Sequence, residues 1–237
     1  MRGLIDIHSH CIPFVDDGSD SMEKSIKMLK NAQRMGVSKV ICTPHYSRTR
    51  GFLTEGSTVK KNFDLLIKEK EKDNIPIDLY LGNEIYLSSL DEFKKIFYDK
   101  GLFTMNYTKY VLIEFSFDEE IDVLEVLHRI KMEGYKAVIA HIERYNYLTL
   151  DDIIEIKEFG ALIQVNASSL LGYEGHKIMK KSMSLIKMGI PDFVSSDVHY
   201  DRENHLDKAY KLLEKKCDKE YLEYLFSLSA KKYFNIE

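Results

Sequence analysis

The sequence predicts an α/β fold built on a parallel sheet. Short apolar runs alternate with amphipathic segments from one end to the other, glycines close several of the amphipathic segments, and no low-complexity linker interrupts the series. Leu4–His8 opens as a strand, with Ile5 and Ile7 alternating with Asp6 and His8. Ser21–Met35 sets Met22, Ile26, Leu29 and Ala32 on one helical stripe and stops at Gly36. Val37–Cys42 is the second strand, and Val59–Lys72 a helix with Phe63, Leu66 and Ile67 on its apolar side. Ile77–Leu81 is the third strand, followed by a weaker helix over Leu90–Asp99. Tyr110–Ile113 is the fourth, and the helix Asp122–Glu133 aligns Val123, Leu127 and Ile130 ahead of Gly134. Lys136–Ala140, Ala161–Val165 and Asp192–Ser195 complete the strands, alternating with helices Asp151–Phe159, closed by Gly160, and Ile178–Met188, closed by Gly189. Two helices, around Leu206–Lys216 and Lys219–Phe234, finish the chain. This repeat of seven βα units implies a sheet that is open or closed into a barrel, and residues 1–237 read as a single domain. Right-handed crossovers place every strand's C-terminal end on the same side.

Composition narrows the function. At 237 residues, 44% hydrophobic and 30% charged, the chain can bury a sizeable core and keep a polar surface, which excludes a disordered protein. A net charge of −4 gives no footprint for nucleic acid or an anionic membrane. Met1–Ile7 reaches the charged Asp6 at once, and no apolar run approaches the ~20 residues of a membrane helix, so no leader or membrane insertion is expected. Cys11, Cys42 and Cys217 are odd in number and far apart, which predicts reduced thiols and a cytoplasmic location. Nothing in the sequence sets the oligomeric state.

Metal-ligand residue types collect at the strand ends. His8 and His10 follow the first strand, His45 the second and Glu84 the third; Glu114 ends the fourth, His141 the fifth, and Asp197 and His199 follow the seventh. A single histidine or glutamate at a strand end is ordinarily a loop residue with no role. Six of the seven strands doing so together, on the face where α/β barrels place active sites, points to a metal centre. Asp6, His8 and His10 are two apart, so an extended segment turns all three to one face, with Asp6 expected to orient the ring of His8. Imidazole mixed with carboxylate suits Zn²⁺, Mn²⁺ or Fe²⁺ better than Ca²⁺ or Mg²⁺, and so many ligands suit two or three ions sharing a carboxylate. His128, His176 and His205 fall on helices or near helix starts and read as surface residues.

Arg144, three residues after His141, and Arg202, three after His199, are placed to grip phosphate with their planar forks. The segment Cys42-Thr-Pro-His-Tyr-Ser-Arg48 has the Cys-x5-Arg spacing of thiol-based phosphatases. That loop works by aiming backbone N–H groups at phosphate. Pro44 removes one N–H, the loop has no glycine, and Cys42 sits in an apolar strand, so a buried structural thiol is the better reading.

These motifs resemble those of the polymerase-and-histidinol-phosphatase (PHP) superfamily. Within it the chain is similar to the manganese-dependent protein-tyrosine phosphatases of bacterial capsule and exopolysaccharide loci, the CpsB/CapC type. The resemblance is carried by Asp6-Ile-His-Ser-His10, Val15-Asp-Asp-Gly18, Thr43-Pro-His45, Gly82-Asn-Glu84-Ile-Tyr86, Leu112-Ile-Glu114-Phe, Ala140-His-Ile-Glu-Arg-Tyr145 and Ser196-Asp-Val-His199, and spans nearly the whole chain. It implies a distorted seven-stranded (β/α)7 barrel holding three ions. One would be held by His8, His10, Glu84 and Asp197, a second by Glu84, Glu114 and His141, and a third by Asp17, His45 and His199. The resemblance alone supplies Asp17, and it gives Arg144 and Arg202 as phosphate-binding arginines, with Asp197 and His199 also at the reaction centre. The implied substrate is a phosphotyrosine-bearing protein, a bacterial tyrosine kinase controlling capsule or exopolysaccharide synthesis. Two alternatives stand beside it: a histidinol-phosphate phosphatase on the same fold, disfavoured by Asp16-Asp17-Gly18, and a non-catalytic metal-binding interaction module, disfavoured because unneeded buried acids cost stability. The segment Tyr46–Thr58 follows no strong pattern.

Overall fold

A computed structural model of the protein describes residues 3–89, 92, 96, 101–117 and 119–237. Among them, nine strand segments run in the order β1 (Leu4–Ser9), β2 (Val37–Cys42), β3 (His45–Tyr46), β4 (Asp78–Leu81), β5 (Glu84–Leu87), β6 (Tyr110–Phe115), β7 (Lys136–Ile139), β8 (Leu162–Asn166) and β9 (Phe193–Ser195). The helices are α1 (Met22–Arg34), α2 (Gly56–Lys72), α3 (Val123–Met132), α4 (Leu150–Phe159), α5 (Ala167–Leu170), α6 (His176–Lys187), α7 (Leu206–Leu213), α8 (Lys219–Glu223) and α9 (Ser229–Phe234). A π-turn over Tyr224–Leu228 joins the last two. The helix expected over Leu90–Asp99 falls almost wholly outside the described residues. Local signals account for the boundaries: Ser21, Asp122 and Thr149 accept backbone N–H groups as N-caps of α1, α3 and α4, and Gly160 closes α4 at φ 109°.

Among the described residues the named strands all pair in parallel, in two sheets, β1-β2-β4 and β3-β5-β6-β7-β8-β9. The larger has six strands, so the expected count of seven in one barrel is not what the hydrogen bonding gives. β3 and β5, which the sequence reading left in loops, make the difference. Thr43-Pro44 separates β2 from β3, because proline has no N–H for the ladder, and Gly82-Asn83 separates β4 from β5. Across this first seam the N–H of Gly82 reaches the Cys42 carbonyl (2.9 Å) and that of Glu84 the Pro44 carbonyl (3.1 Å). At the other seam the N–H of Asp197 reaches the His8 carbonyl (2.9 Å) and that of His10 the Val198 carbonyl (3.1 Å). The parallel sheet is therefore curled, with β1 and the chain beyond β9 side by side.

Two apolar clusters flank it. The larger lies between strands and helices and includes Val111, Ile113 and Phe115 of β6. The smaller contains Ile5, Ile7, Ile41, Tyr110, Leu112, Val138, Leu162 and Phe193. Phe234 of α9 joins it, with its ring 5.3 Å from Phe193 and 5.7 Å from Tyr110, so the C-terminal segment plugs the end where the strands begin. Alternation then carries the polar residues to the opposite end. Tyr110 and Leu112 lead to Glu114, and Leu162 leads to Gln164 and Asn166.

The loop after β1 is fastened beneath the site. The N–H of Phe14 bonds the Ser19 carbonyl (2.8 Å), and the N–H of Tyr200 bonds the Gly18 carbonyl (2.8 Å). A Cβ at Gly18 would lie 2.2 Å from both the Cβ and the carbonyl oxygen of His10, so only glycine lets the loop pass this close. Gly18→Ala should destabilise the fold by about 1–3 kcal/mol, lowering Tm by roughly 3–10 °C. Thermal denaturation checks it; a wild-type Tm would show that the loop can move aside freely.

Candidate metal centre

Glu84 stands at the centre of the open end. Its side chain is 1% exposed and faces four imidazoles: Oε1 lies 3.2 Å from His8 Nε2 and 3.0 Å from His141 Nε2, and Oε2 lies 2.9 Å from His45 Nδ1 and 3.4 Å from His10 Nε2. Asp197 flanks it, with Oδ1 3.5 Å from both His8 Nε2 and His10 Nε2 and 3.8 Å from His199 Nδ1. His141 and Asp197 follow the ends of β7 and β9 with φ of 31° and 51°. Left-handed backbone at two non-glycine residues is strained, and here it turns two strand ends sharply toward one point.

Three groups of ligand atoms converge: His8, His10, Glu84 and Asp197; His45, Glu84 and Glu114; and His10, His45 and His199. The remaining expected ligands adjoin them. His141 is 3.9 Å from Glu114, and Asp17, half-exposed, is 3.6 Å from His45 and 3.5 Å from His199. The atoms also suit an ion physically. His8 Nε2 and His10 Nε2 face each other at 3.2 Å, and each lies 3.2 to 3.5 Å from an oxygen of Glu84 and an oxygen of Asp197. Neighbouring ligands bonded at ~2.0–2.2 Å to one ion lie about that far apart. Moreover, Glu84 Oε2 and His45 Nδ1, though 2.9 Å apart, are not aligned for a hydrogen bond, and both are buried without a hydrogen-bond partner. Buried polar atoms aimed at a common point without satisfying one another are what a divalent ion would satisfy.

The electrostatics agree. Burial opposes a charge on Glu84, but His8 and the other imidazoles outweigh it and hold its carboxyl well below the usual range; Asp197 is depressed in the same way. Burial pulls His8 down, yet Glu84 and Asp197 raise it to about 9. Glu114 moves the other way, pushed up by burial and by the charge of Glu84. Two carboxylates held charged, with a third crowded beside them, suit added metal cations.

Hydrogen bonds behind the ligands fix their rings. His10 Nδ1 lies 2.8 Å from Asp16 Oδ2, and the same carboxylate accepts from the N–H groups of His45 (2.9 Å) and Gly18 (3.0 Å). Gln164 Oε1 lies 3.3 Å from His8 Nδ1 and accepts the His141 N–H at 2.7 Å, while its amide donates to Asn166 (2.7 Å), whose own amide donates to Asp197 Oδ2 (2.9 Å). The role expected of Asp6 therefore falls to Gln164. Asp6 instead accepts from the N–H and hydroxyl of Ser196 (3.0 and 2.5 Å), because the β1 ladder is irregular between Asp6 and Ser9 and does not keep the simple two-residue period. It ties β1 to the chain beyond β9.

The two arginines diverge. The Arg144 guanidinium lies 3.6 Å from Asp197 Oδ2 and 4.4 Å from the centre of the Phe117 ring, at the rim of the cluster. Arg202 is half-exposed, with Asp201 at 4.0 Å, and lines a small side cavity with Lys27 and Tyr200. Its N–H bonds the His199 carbonyl (3.0 Å), and its charge reaches the His199 ring. Sequence reasoning missed Arg50, whose Nη1 bonds Glu114 Oε2 at 2.7 Å; its segment offered no periodic signal. It also missed Gln164, although a polar residue inside the apolar strand Ala161–Val165 was a usable signal. Cys42 is fully buried, its thiol pushed up by burial and by Cys11, whose sulfur is 3.3 Å away, so it is no thiolate nucleophile. His128 and His176 are exposed as expected, whereas His205 is buried under Tyr173 at 4.3 Å.

Residues 4–235 match the family described as capsular polysaccharide synthesis, CpsB/CapC. The chain belongs to this family. It is 33% identical over 232 residues to the tyrosine-protein phosphatase YwqE of Bacillus subtilis (strain 168), covering 96% of this chain and 90% of that one. It is 34% identical over 238 residues to the tyrosine-protein phosphatase CpsB of Streptococcus agalactiae, covering 96% of each. A crystal structure from work on YwqE of Bacillus subtilis and CpsB of Streptococcus pneumoniae, called unique metal-dependent tyrosine phosphatases, superposes with a TM-score of 0.88 at 30% identity, over 98% of this chain and 94% of that one. The phosphotriesterase homology protein of Escherichia coli shares the fold alone, with a TM-score of 0.63 at 13% identity over 98% of this chain and 99% of that one.

Asp16 offers a test of ligand positioning in this CpsB/CapC member. Asp16→Asn weakens its hold on the His10 ring and should lower Mn²⁺ affinity about 10–100-fold. Calorimetric titration reads this directly; unchanged affinity would reduce Asp16 to a loop tether.

Proposed function

We propose that the protein is a metal-dependent protein-tyrosine phosphatase that hydrolyses phosphotyrosine on a protein, with a bacterial tyrosine kinase of capsule or exopolysaccharide synthesis as the substrate. The observation that carries this reading is the convergence of four imidazoles on the buried Glu84, in a chain of the CpsB/CapC family. His8, His10, Glu84 and Asp197 would hold one ion, Glu84, Glu114 and His141 a second, and Asp17, His45 and His199 a third, at the open end of the curled parallel sheet. The mixed donor set suits Mn²⁺, Fe²⁺ or Zn²⁺, and the resemblance to manganese-dependent phosphatases favours Mn²⁺ among them. Among the described residues no helix is long and apolar enough to cross a membrane, and the three free thiols suit action in the cytoplasm.

Bound there, divalent ions polarise phosphoryl oxygens and lower the pKa of water. The chain supplies the rest. Asp16 and Gln164 hold the rings of His10 and His8, so the ligand atoms need no reorganisation when substrate arrives. Arg144, lying against Phe117 at the rim, is placed to take equatorial phosphoryl oxygens in its planar fork. The leaving phenolate has a pKa near ~10 and needs little acid assistance, which fits a site whose strongest feature is cation binding.

Assaying metal-loaded protein on a tyrosine phosphopeptide and on histidinol phosphate tests the reading. Turnover of the phosphopeptide should dominate, vanish on chelation and return with Mn²⁺, and Cys42→Ala should leave it largely intact. Arg144→Lys keeps the charge and loses the fork, so kcat/KM should fall by an amount equivalent to about 2–4 kcal/mol at unchanged metal content. Chelator-resistant turnover, or turnover that disappears with Cys42, would contradict a metal-only mechanism.

A further inference from the structure

Within the segment Tyr46–Thr58, the chain between β3 and α2 forms a short loop with a defined base and tip. Ser47 and Phe52 pair across its base, with the Ser47 N–H on the Phe52 carbonyl at 2.8 Å, and Gly51 takes φ 79° to let the chain reverse. The Phe52 ring stacks on His45 at 5.3 Å and 20°, fixing the base to the site. The tip delivers Arg50, whose guanidinium lies 3.7 Å from the centre of the Tyr86 ring and bonds Glu114 Oε2 at 2.7 Å. Its side chain remains about one-third exposed, while that of Glu114 is 4% exposed. Arg144 makes a matching arrangement, lying against Phe117 with Asp197 at 3.6 Å. Two arginines, each steadied by an aromatic ring, thus each approach a carboxylate of the same cluster.

From this geometry we propose that Arg50 is a further phosphoryl-binding arginine beside Arg144, and that it is latched on Glu114 until that carboxylate is taken by a metal ion. Without the ion, Arg50 is the cation that neutralises Glu114, one of the convergent ligand group with His45 and Glu84. A divalent ion and a guanidinium compete for the same carboxylate charge, and their like charges repel across a few ångströms. Arg50, already partly in solvent, is the member free to move, and the Tyr86 ring keeps it flat near the mouth. There its fork can meet phosphoryl oxygens alongside Arg144.

This inference rests on the metal-dependent reading above, and its test separates the two. Mn²⁺ is titrated into wild type, Arg50→Ala and Arg50→Lys, and inorganic phosphate is then titrated into each loaded protein. Removing the latch in Arg50→Ala should tighten the Mn²⁺ step that uses Glu114 by about tenfold, and weaken phosphate binding by about tenfold or more. Arg50→Lys, which keeps a cation without the planar fork, should leave the metal step near wild type and still weaken phosphate. Weaker metal binding in Arg50→Ala would make Arg50 a support for Glu114 and overturn the latch. Unchanged phosphate affinity in both variants would overturn the clamp. Wild-type protein that takes up no Mn²⁺ would instead remove the metal-dependent reading, and the latch with it.

Discussion

The structure depends on a buried carboxylate held charged by a ring of imidazoles. Glu84 is 1% exposed, and an isolated carboxylate at that depth would take up a proton. It stays ionised because His8 and His10 from the end of β1, His45 from β3 and His141 after β7 all face it. Each must arrive from a strand end on the same side, which parallel strands with right-handed crossovers guarantee. Removing one partner would leave charge unmatched in low dielectric, so the cluster constrains the fold as much as the fold positions the cluster.

The polar face is supported from below by an apolar one. The cluster around Ile7, Leu112, Val138 and Phe193, closed by Phe234, fills the curled sheet and leaves a single polar end. Above it, Gln164 and Asn166 form a layer of amides that bond to one another and upward to His8, His141 and Asp197. Amides can serve both donors and acceptors, so this layer satisfies ligands of either kind without adding charge beneath an already crowded carboxylate site.

Much of this was legible in the sequence because it follows from periodicity. Tyr110–Ile113 and Lys136–Ala140 were readable as strands from their apolar runs, and the ligand-type residues at their ends followed from parallel order. Two things were not legible. The breaks at Thr43-Pro44 and Gly82-Asn83 create β3 and β5, and a two-residue segment such as His45–Tyr46 carries no period to detect. The partners behind the ligands were equally hidden: whether Asp16 or Asp17 turns inward depends on Gly18 passing against His10, a contact between backbones.

The central claim is that Glu84 is charged in order to be shared by metal ions. Elemental analysis after equilibrium dialysis against Mn²⁺, on wild type and Glu84→Gln, tests it most directly. The account predicts more than one ion per wild-type chain, and the loss of more than one ion from the variant, because one residue serves two groups of ligands. Equal metal content in the two proteins, or none in the wild type, would contradict it.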